Sequence, residues 1–283
     1  MVFCRNQALV KPYNFQLIYR KIQKTREGLS TTKKISGHFE KIKKRVSTEP
    51  ETITLLNHYT NILTMKLLGI DDAGRGPVIG PMTLAGVIIN ENDEHKIKAL
   101  NAKDSKLLTP KQRKEIAENL RPTFTHHIVT SSPKQIDDSS NLNYLEAEKT
   151  AEIINHLTKD LNEKTKAIVD CPSVNIQAWS NDVQQLLKNP KNIILKCEHK
   201  ADANHPIVGA ASILAKEKRE EEIYKLKQEY KIDFGSGYPS DPKTKKFIQK
   251  NFDNKKYQKI IRFSWNTVKK LFKAKTSPQK KLF

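Results

Sequence analysis

The stretch Leu-Leu-Gly-Ile-Asp-Asp-Ala-Gly-Arg-Gly-Pro-Val-Ile-Gly-Pro, residues 67–81, carries the clearest signal for the fold. Its first residues, 67–71, are mostly apolar and predict a buried strand, which ends in a glycine-rich turn. Residues 83–89 are again apolar and predict the antiparallel neighbour of that strand. The stretch therefore begins a sheet with a pair of antiparallel strands.

Two adjacent acids, Asp71 and Asp72, stand where the first strand ends. Consecutive residues of an ideal strand point to opposite faces, so a shared role for both carboxylates requires the chain to bend there. Gly74 and Gly76 allow such a bend, because glycine adopts backbone conformations that other residues avoid.

Downstream of this pair, short apolar segments alternate with helical patterns. Apolar runs predict further strands at residues 127–130, 167–170 and 193–197. Capping and turn signals predict helices that begin after Thr109, at Asn143, near residue 205 and near residue 242. This order of elements indicates an α/β fold in which helices flank a mixed sheet.

Two more acids follow predicted strands. Asp170 closes the strand at residues 167–170, and Asp202 follows the strand at residues 193–197. Carboxylates at the ends of neighbouring strands converge in space, and they repel one another unless hard cations lie among them. The four acids therefore favour Mg²⁺ or Mn²⁺ and phosphodiester chemistry. Taken singly, Asp72 is more simply interpreted as a turn residue, Asp170 as an Asx-turn residue and Asp202 as the N-cap of the next helix, and only their combination favours the metal site.

The composition favours a polyanionic partner. The 283 residues include 51 Lys and Arg against 31 Asp and Glu, which gives a net charge of +20. Such a chain most often binds nucleic acid, with a merely solubilising surface as the alternative. The longest mostly apolar stretch, residues 78–89, is interrupted by Gly80 and Pro81 and is far shorter than the roughly 20 residues of a membrane span. No membrane association is expected.

The cysteines indicate the compartment, and the two ends of the chain differ from its middle. Three cysteines without a Cys-x-x-Cys pair argue against a disulfide framework and against structural zinc, so a reducing, cytoplasmic location is expected. Residues 1–64 are either a real basic extension, such as a transit peptide, or an artefact of start-site assignment. We prefer the second interpretation, in which translation begins at Met65. Residues 65–272 are predicted to form the catalytic domain, and residues 273–283 a basic tail.

Eight segments resemble ribonuclease HII in its archaeal form, and they occur in the order found in that family. They are GIDDAGRGPVIGP (69–81), DSKLLTP (104–110), NLNYLEAEK (141–149), VDCPSVN (169–175), EHKADANHP (198–206), AASILAK (210–216), DFGSGYPSDPKT (233–244) and SWNTVKK (264–270). The resemblance implies a ribonuclease H-like fold, with a central five-stranded mixed sheet, flanking helices and a helical C-terminal part.

The resemblance also implies an activity. The family cleaves the RNA strand of RNA–DNA hybrids and cuts duplex DNA on the 5′ side of embedded ribonucleotides, leaving 3′-hydroxyl and 5′-phosphate ends. Such an enzyme serves DNA replication and ribonucleotide excision repair. By the same resemblance, the catalytic acids, which hold two Mn²⁺ or Mg²⁺ ions, are Asp71, Asp72, Asp170 and Asp202.

One of these acids departs from the family pattern, which commonly has Glu where this chain has Asp72. The carboxylate charge is kept, but its reach is shorter by about 1.5 Å, one carbon–carbon bond. The spacing of the metal ions or the preferred ion is therefore expected to differ from that of the family.

Substrate contacts follow from the resemblance as well. Gly74, Arg75 and Gly76 match the segment whose backbone meets the ribose 2′-hydroxyl, the group that distinguishes RNA from DNA. Tyr238 matches the tyrosine that packs against the sugar at the RNA–DNA junction. Lys106 and Lys200 are candidate phosphate contacts, with solvated lysines as the alternative.

The C-terminal residues resemble a shortened sliding-clamp-binding motif, in which Gln279, Leu282 and Phe283 are the anchors. A frayed basic tail is the alternative reading. The protein itself is expected to be a monomer. His199, Trp179 and Trp265 are interpreted as packing residues rather than as catalytic groups.

Two other functions remain as alternatives. The first is another nuclease with a ribonuclease H fold, which shares the carboxylate cluster but does not select ribose. The second is a basic, non-catalytic nucleic-acid-binding protein, whose binding weakens steeply with salt and which cuts nothing when Mn²⁺ or Mg²⁺ is added.

Overall fold

The structure, a computed structural model, describes residues 65–100 and 108–276. The predicted extension at residues 1–64, Lys106 and the candidate clamp anchors Gln279, Leu282 and Phe283 lie outside the described residues. The predicted tail at residues 273–283 begins inside the last described helix, Asn266–Thr276.

A mixed five-stranded sheet forms the centre, as the sequence predicts. Its strands are β1 (Lys66–Ala73), β2 (Met82–Asn90), β3 (Thr125–Ser131), β4 (Thr165–Asp170) and β5 (Ile193–Glu198). They lie in the order β3-β2-β1-β4-β5. β2 is antiparallel to both β1 and β3, whereas β4 is parallel to both β1 and β5. The parallel pairs bring the ends of β1, β4 and β5 to one edge of the sheet.

Helices occupy both faces of the sheet and the C-terminal part. In chain order they are α1 (Glu94–Ala99), α2 (Pro110–Thr123), α3 (Pro133–Asp138), α4 (Leu142–Thr158), α5 (Ile176–Leu186), α6 (Ala201–Asn204), α7 (Pro206–Tyr230), α8 (Pro242–Asn251) and α9 (Asn266–Thr276). Short 3-10 turns lie at Glu91–Asp93, Pro190–Asn192 and Lys255–Tyr257. No helix in the described ranges is both long and apolar enough to cross a membrane.

Local capping chemistry sets the starts of two helices. The Thr109 side chain accepts a hydrogen bond from the Gln112 N–H and the Gln112 side chain accepts one from the Thr109 N–H, which confirms the predicted start of α2. The predicted cap of α4 at Asn143 is wrong, because Asn141 caps this helix by accepting a hydrogen bond from the Asn143 N–H. The sequence pattern does not identify which of the two asparagines, Asn141 or Asn143, caps the helix.

Alternate residues of β1 serve opposite faces of the sheet. Leu67 packs in the cluster that includes α7, whereas Leu68 and Ile70 pack in the cluster that includes α4 and α5. Gly69 permits the close approach of α7, since a Cβ there would lie 2.5 Å from the carbonyl carbon of Ile207. The start of α7 is therefore fixed against β1 just before the two acids.

The C-terminal part has its own apolar cluster, which is anchored to the loop after β1. Val78 and Ile79 from that loop pack with Phe234 of the loop after α7, with Phe247 of α8 and with other residues of the C-terminal part. Ile79 also forms an isolated antiparallel bridge with Ile261. The C-terminal part thus lies directly against the glycine-rich turn.

Candidate active site

Asp71 and Asp72 lie within β1, which continues in register with β2 through Ala73. The bend expected beside these acids therefore comes slightly later, at Gly74, whose φ is +87°. Asp71 is 5% exposed, and one of its carboxylate oxygens accepts a hydrogen bond of 2.8 Å from the Asp72 N–H. Despite the strand alternation, both acids line the same small cavity at the edge of the sheet.

Asp170 is the last residue of β4 and joins the two acids of β1 at this cavity. Its Oδ1 accepts a hydrogen bond of 3.0 Å from the N–H of Ala201 at the start of α6. Asp202 follows directly and is 3% exposed, but it does not line the cavity. The lining residues are Ile70, Asp71, Asp72, Leu84, Glu146, Thr150, Val169, Asp170, Pro172 and Trp179.

The carboxylates at this edge oppose one another's ionisation. Burial raises the pKa of Asp71 well above its usual value, and the charges of Asp72 and Asp170 raise it further. Burial also raises the pKa of Asp72 to about 6, a rise that Arg75 opposes and Asp170 adds to. Three acids on two neighbouring strands thus lie close enough to repel.

The donor set suits a hard divalent cation, since it consists of carboxylate oxygens whose mutual repulsion such an ion relieves. Among the described residues, no group of three or more His, Cys, Asp or Glu side chains is already arranged as a metal-binding cluster. The fit therefore rests on the chemistry and proximity of Asp71, Asp72 and Asp170 rather than on a finished coordination shell.

The loop at Gly74, Arg75 and Gly76 is held from its carbonyl side. Arg262, which is fully buried, donates hydrogen bonds of 2.7 Å to the Gly74 carbonyl and 3.0 Å to the Arg75 carbonyl. Trp265 donates one of 3.0 Å through Nε1 to the Gly76 carbonyl. In the described part of the chain, no group accepts a hydrogen bond from the N–H of Arg75 or Gly76. The loop's donors are therefore available to a ligand.

Tyr238, the predicted sugar-packing residue, lies beside this loop. A Cβ on Gly76 would lie 3.7 Å from Tyr238 Cε1, and Tyr238 is 39% exposed. The buried Arg219 guanidinium lies 5.0 Å from the ring centroid and donates a hydrogen bond of 3.1 Å to the Ser236 carbonyl. Tyr238 is thus fixed from behind while part of its ring stays open to solvent.

Of the remaining sequence-predicted residues, Lys200 and His199 are exposed, whereas Trp179 is buried and lines the cavity. Lys200 is exposed and adopts a left-handed backbone conformation, with φ 58°, immediately before α6. His199 bonds through Nδ1 to the Cys171 carbonyl at 3.1 Å. Trp179 is 2% exposed and donates through Nε1 to the Asn143 carbonyl. The burial of Trp179 agrees with its interpretation as a packing residue, whereas His199 is exposed and its ring contacts a backbone carbonyl rather than the core.

Sequence reasoning missed three residues of the site, namely Glu146, Arg262 and Trp265. Glu146 lines the acid cavity and is 1% exposed. Glu146 precedes Ile153 by two helical turns and so lies on the apolar face of α4. An acid on an apolar helix face is unusual, and the sequence pattern could therefore have indicated a buried, paired carboxylate here. Arg262 gives a similar signal, because it interrupts the apolar run Ile260, Ile261 and Phe263. For Trp265, no pattern predicted its contact with Gly76.

Comparison with known proteins gives a consistent result. A family model described as Ribonuclease HII matches residues 68–268. Ribonuclease HII of Methanococcus maripaludis (strain C6) is 43% identical over 225 residues, which cover 77% of this chain and 92% of the relative. Ribonuclease HII of Pyrococcus furiosus is 42% identical over 219 residues, which cover 75% and 95%.

Solved structures agree. The crystal structure of ribonuclease H2 from Pyrococcus horikoshii OT3 matches with a TM-score of 0.66 at 38% identity, covering 74% of this chain and 98% of that one. The structure of a PCNA:RNase HII complex from Archaeoglobus fulgidus matches with a TM-score of 0.63 at 36% identity, covering 71% and 95%. Bst-RNase HIII in complex with Mn²⁺ matches with a TM-score of 0.62 over 75% and 71%, but at 20% identity it supports the fold alone.

Proposed function

The chain belongs to the ribonuclease HII family and is a ribonuclease H that acts on RNA–DNA hybrids. We propose that it also cuts duplex DNA on the 5′ side of an embedded ribonucleotide. The products carry a 3′-hydroxyl and a 5′-phosphate. The observation that carries this proposal is the loop at residues 74–76. Arg262 and Trp265 donate hydrogen bonds to its carbonyls, while no group in residues 65–100 or 108–276 accepts one from the N–H of Arg75 or Gly76.

The enzyme depends on divalent metal ions, which Asp71, Asp72, Asp170 and Asp202 hold as Mg²⁺ or Mn²⁺. When bound, such ions lower the pKa of water and stabilise the leaving oxygen. The raised pKa values of Asp71 and Asp72 support this assignment, because acids that resist ionisation together are stabilised by a cation. Asp202 is assigned through its place directly after Ala201, the hydrogen-bond donor to Asp170.

Ribose selection falls to the loop and to Tyr238. The N–H groups of Arg75 and Gly76 reach the 2′-hydroxyl, and the Tyr238 ring packs against the sugar. The support is positional, since Gly76 and Tyr238 approach within ordinary contact distance and the Tyr238 ring is partly exposed. Lys106 and Lys200 contact backbone phosphates. A single copy of the chain carries all these groups, in agreement with a monomeric enzyme.

The C-terminal anchors Gln279, Leu282 and Phe283 bind a sliding clamp. The support is the sequence motif together with the PCNA complex of the Archaeoglobus fulgidus relative. Deletion of residues 279–283 is expected to abolish co-purification with a sliding clamp and to leave cleavage of free duplex unchanged. Unchanged clamp affinity after this deletion rules the role out.

The decisive experiment uses a labelled DNA duplex with one ribonucleotide and its all-DNA twin. Each is incubated with wild-type protein, Asp170→Asn and the control Asp160→Asn, whose side chain is 83% exposed. Mg²⁺, Mn²⁺ or a chelator is present. Cleavage is expected only 5′ of the ribonucleotide, only with metal, and only by the wild type and the control.

Other outcomes identify the alternatives. Cleavage of both duplexes identifies a nuclease without ribose selectivity, whereas binding without cleavage in every ion identifies a non-catalytic nucleic-acid-binding protein. Because Asp72 is shorter than the usual Glu, an inactive wild type is compared with Asp72→Glu. Recovery of cleavage by that variant locates the defect in the metal site.

A further inference from the structure

A buried ion pair joins the cavity lined by Asp71, Asp72 and Asp170 to the loop at residues 74–76. Glu146 on α4 is 1% exposed, and its Oε2 pairs with Nη1 of Arg75, whose side chain is 34% exposed. No hydrogen bond to the Glu146 carboxylate comes from any other group in residues 65–100 or 108–276. Because a buried carboxylate without a partner is strongly destabilising, Glu146 holds Arg75 in this position.

The same guanidinium has a second attachment on α4. Arg75 Nη2 donates a hydrogen bond of 2.7 Å to Asn143 Oδ1, one helical turn before Glu146. The Asn143 carbonyl in turn accepts a hydrogen bond of 2.8 Å from Trp179 Nε1 on α5. Two groups of one rigid helix thus hold the planar guanidinium, and a forked contact of this kind fixes its direction as well as its distance.

Arg75 is therefore held at both its side chain and its main chain. The side chain is fastened to α4, while the main-chain carbonyl accepts a hydrogen bond of 3.0 Å from Arg262 of the C-terminal part. The residues on either side, Gly74 and Gly76, have no side chains that could restrict the loop. The direction of the loop's N–H groups consequently depends on the side-chain attachment of Arg75 to α4 together with the carbonyl contacts made by Arg262 and Trp265.

We infer that Glu146 is a positioning residue for ribose recognition, which acts through Arg75 by fastening the ribose-reading loop to α4. This inference rests on the proposed function. It assigns the Arg75 side chain an attachment role within the protein rather than a contact with substrate phosphate. It also gives Glu146 a role distinct from that of the acids of β1 and β4, since its charge is neutralised by Arg75 instead of by a metal ion.

The test measures kcat and KM on the duplex with one ribonucleotide for the wild type and Glu146→Gln. The matched control is Glu152→Gln on the same helix, where Glu152 is 48% exposed and pairs with Lys149. A displaced loop is expected to raise KM and to lower kcat/KM by about tenfold to a hundredfold. The control is expected to match the wild type. Mn²⁺ affinity is expected to be the same for all three proteins.

A double-mutant cycle separates positioning from general destabilisation. If Glu146 acts through Arg75, Glu146→Gln costs no further activity in an Arg75→Gln background, because the attachment is already lost. Additive losses overturn the inference. Asn143→Ala provides a second route, because it removes the other attachment at a half-buried site. We expect Asn143→Ala to raise KM, as Glu146→Gln does. An unchanged KM, measured on Asn143→Ala protein with wild-type thermal stability, also overturns the inference.

Failure of the inference and failure of the proposed function give different results. A wild type that leaves the ribonucleotide-containing duplex intact in Mg²⁺ and Mn²⁺ overturns the proposed function. A wild type that cuts it, with Glu146→Gln cutting it at the same kcat/KM, overturns the positioning role alone.

Discussion

Arg262 donates a hydrogen bond of 2.7 Å to the carbonyl of Gly74, which lies 188 residues earlier in the chain. The same guanidinium reaches the carbonyls of Arg75 and Gly80 at 3.0 Å and 2.8 Å. One fully buried side chain thus satisfies three carbonyls of the turn that follows β1. The C-terminal part is therefore a structural component of the site and not an appendage to it.

Replacement of Arg262 by lysine is expected to reduce both stability and cleavage. An ammonium group keeps the charge but cannot reproduce three hydrogen bonds from a planar fork, so buried carbonyls lose their donors. Each carbonyl left unsatisfied costs about 1–3 kcal/mol. Urea unfolding and kcat/KM on the ribonucleotide-containing duplex measure the two effects. Lys269→Gln, at an exposed position, is the control, and equal results for the two variants contradict this role of Arg262.

Gly74 and Gly76 are expected to tolerate alanine differently. At Gly74 the backbone has φ +87°, and a Cβ would lie 2.5 Å from Arg219 Cδ and 2.9 Å from the Pro81 carbonyl oxygen. At Gly76 the nearest atom, Tyr238 Cε1, would lie at 3.7 Å, an ordinary contact. Gly74→Ala is therefore expected to lower the free energy of unfolding by about 1–3 kcal/mol, and Gly76→Ala by less. Denaturant unfolding decides, and a Gly76→Ala variant that is the less stable of the two contradicts the expectation.

The fold was largely predictable from the sequence because its signals are local. Apolar runs located all five strands, and the capping pattern at Thr109 located the start of α2. The contacts of Arg262 with Gly74 and of Glu146 with Arg75 were not predictable, since they join residues far apart in the sequence. Periodicity indicates which face of an element is buried, but it does not identify which distant group a buried charge meets.

The metal-free protein is expected to become less stable as the pH rises through the range in which Asp72 ionises. The pKa of Asp72 in the folded state, about 6, lies above its usual value of 3.8, so ionisation costs the folded state more than the unfolded state. Stability is therefore greatest below about pH 4 for this group and falls until the pH exceeds 6, by about 3 kcal/mol in total.

Asp72→Asn tests this expectation directly. In chelator at pH 7.5, the variant is expected to unfold at a higher temperature than the wild type, and the pH-dependent loss of stability is expected to shrink. Added Mn²⁺ is expected to stabilise the wild type more than the variant, because the ion relieves the repulsion that the variant lacks. A metal-free variant less stable than the wild type at that pH contradicts the raised pKa.

The loop that carries Tyr238 is expected to lose its support in acid. Asp241 accepts hydrogen bonds from the N–H groups of Ser236 and Lys243 at 2.6 Å and 2.9 Å, and these contacts hold the pKa of Asp241 at about 2. Because this pKa lies below the usual 3.8, the stabilisation is complete above about pH 4 and is lost as the pH falls toward 2.

The comparison of wild type with Asp241→Asn between pH 5 and pH 3 isolates this contribution. The amide of the Asp241→Asn variant still caps α8 in part, but it does not titrate. Because only the wild type loses stabilisation as the pH falls, the difference in thermal midpoint between the two proteins is expected to narrow. Asp138→Asn, an exposed acid with one lysine partner four residues away, serves as the control and is expected to show a much smaller narrowing. If the difference in thermal midpoint between the wild type and Asp241→Asn stays constant from pH 5 to pH 3, the charge of Asp241 does not stabilise the loop that carries Tyr238.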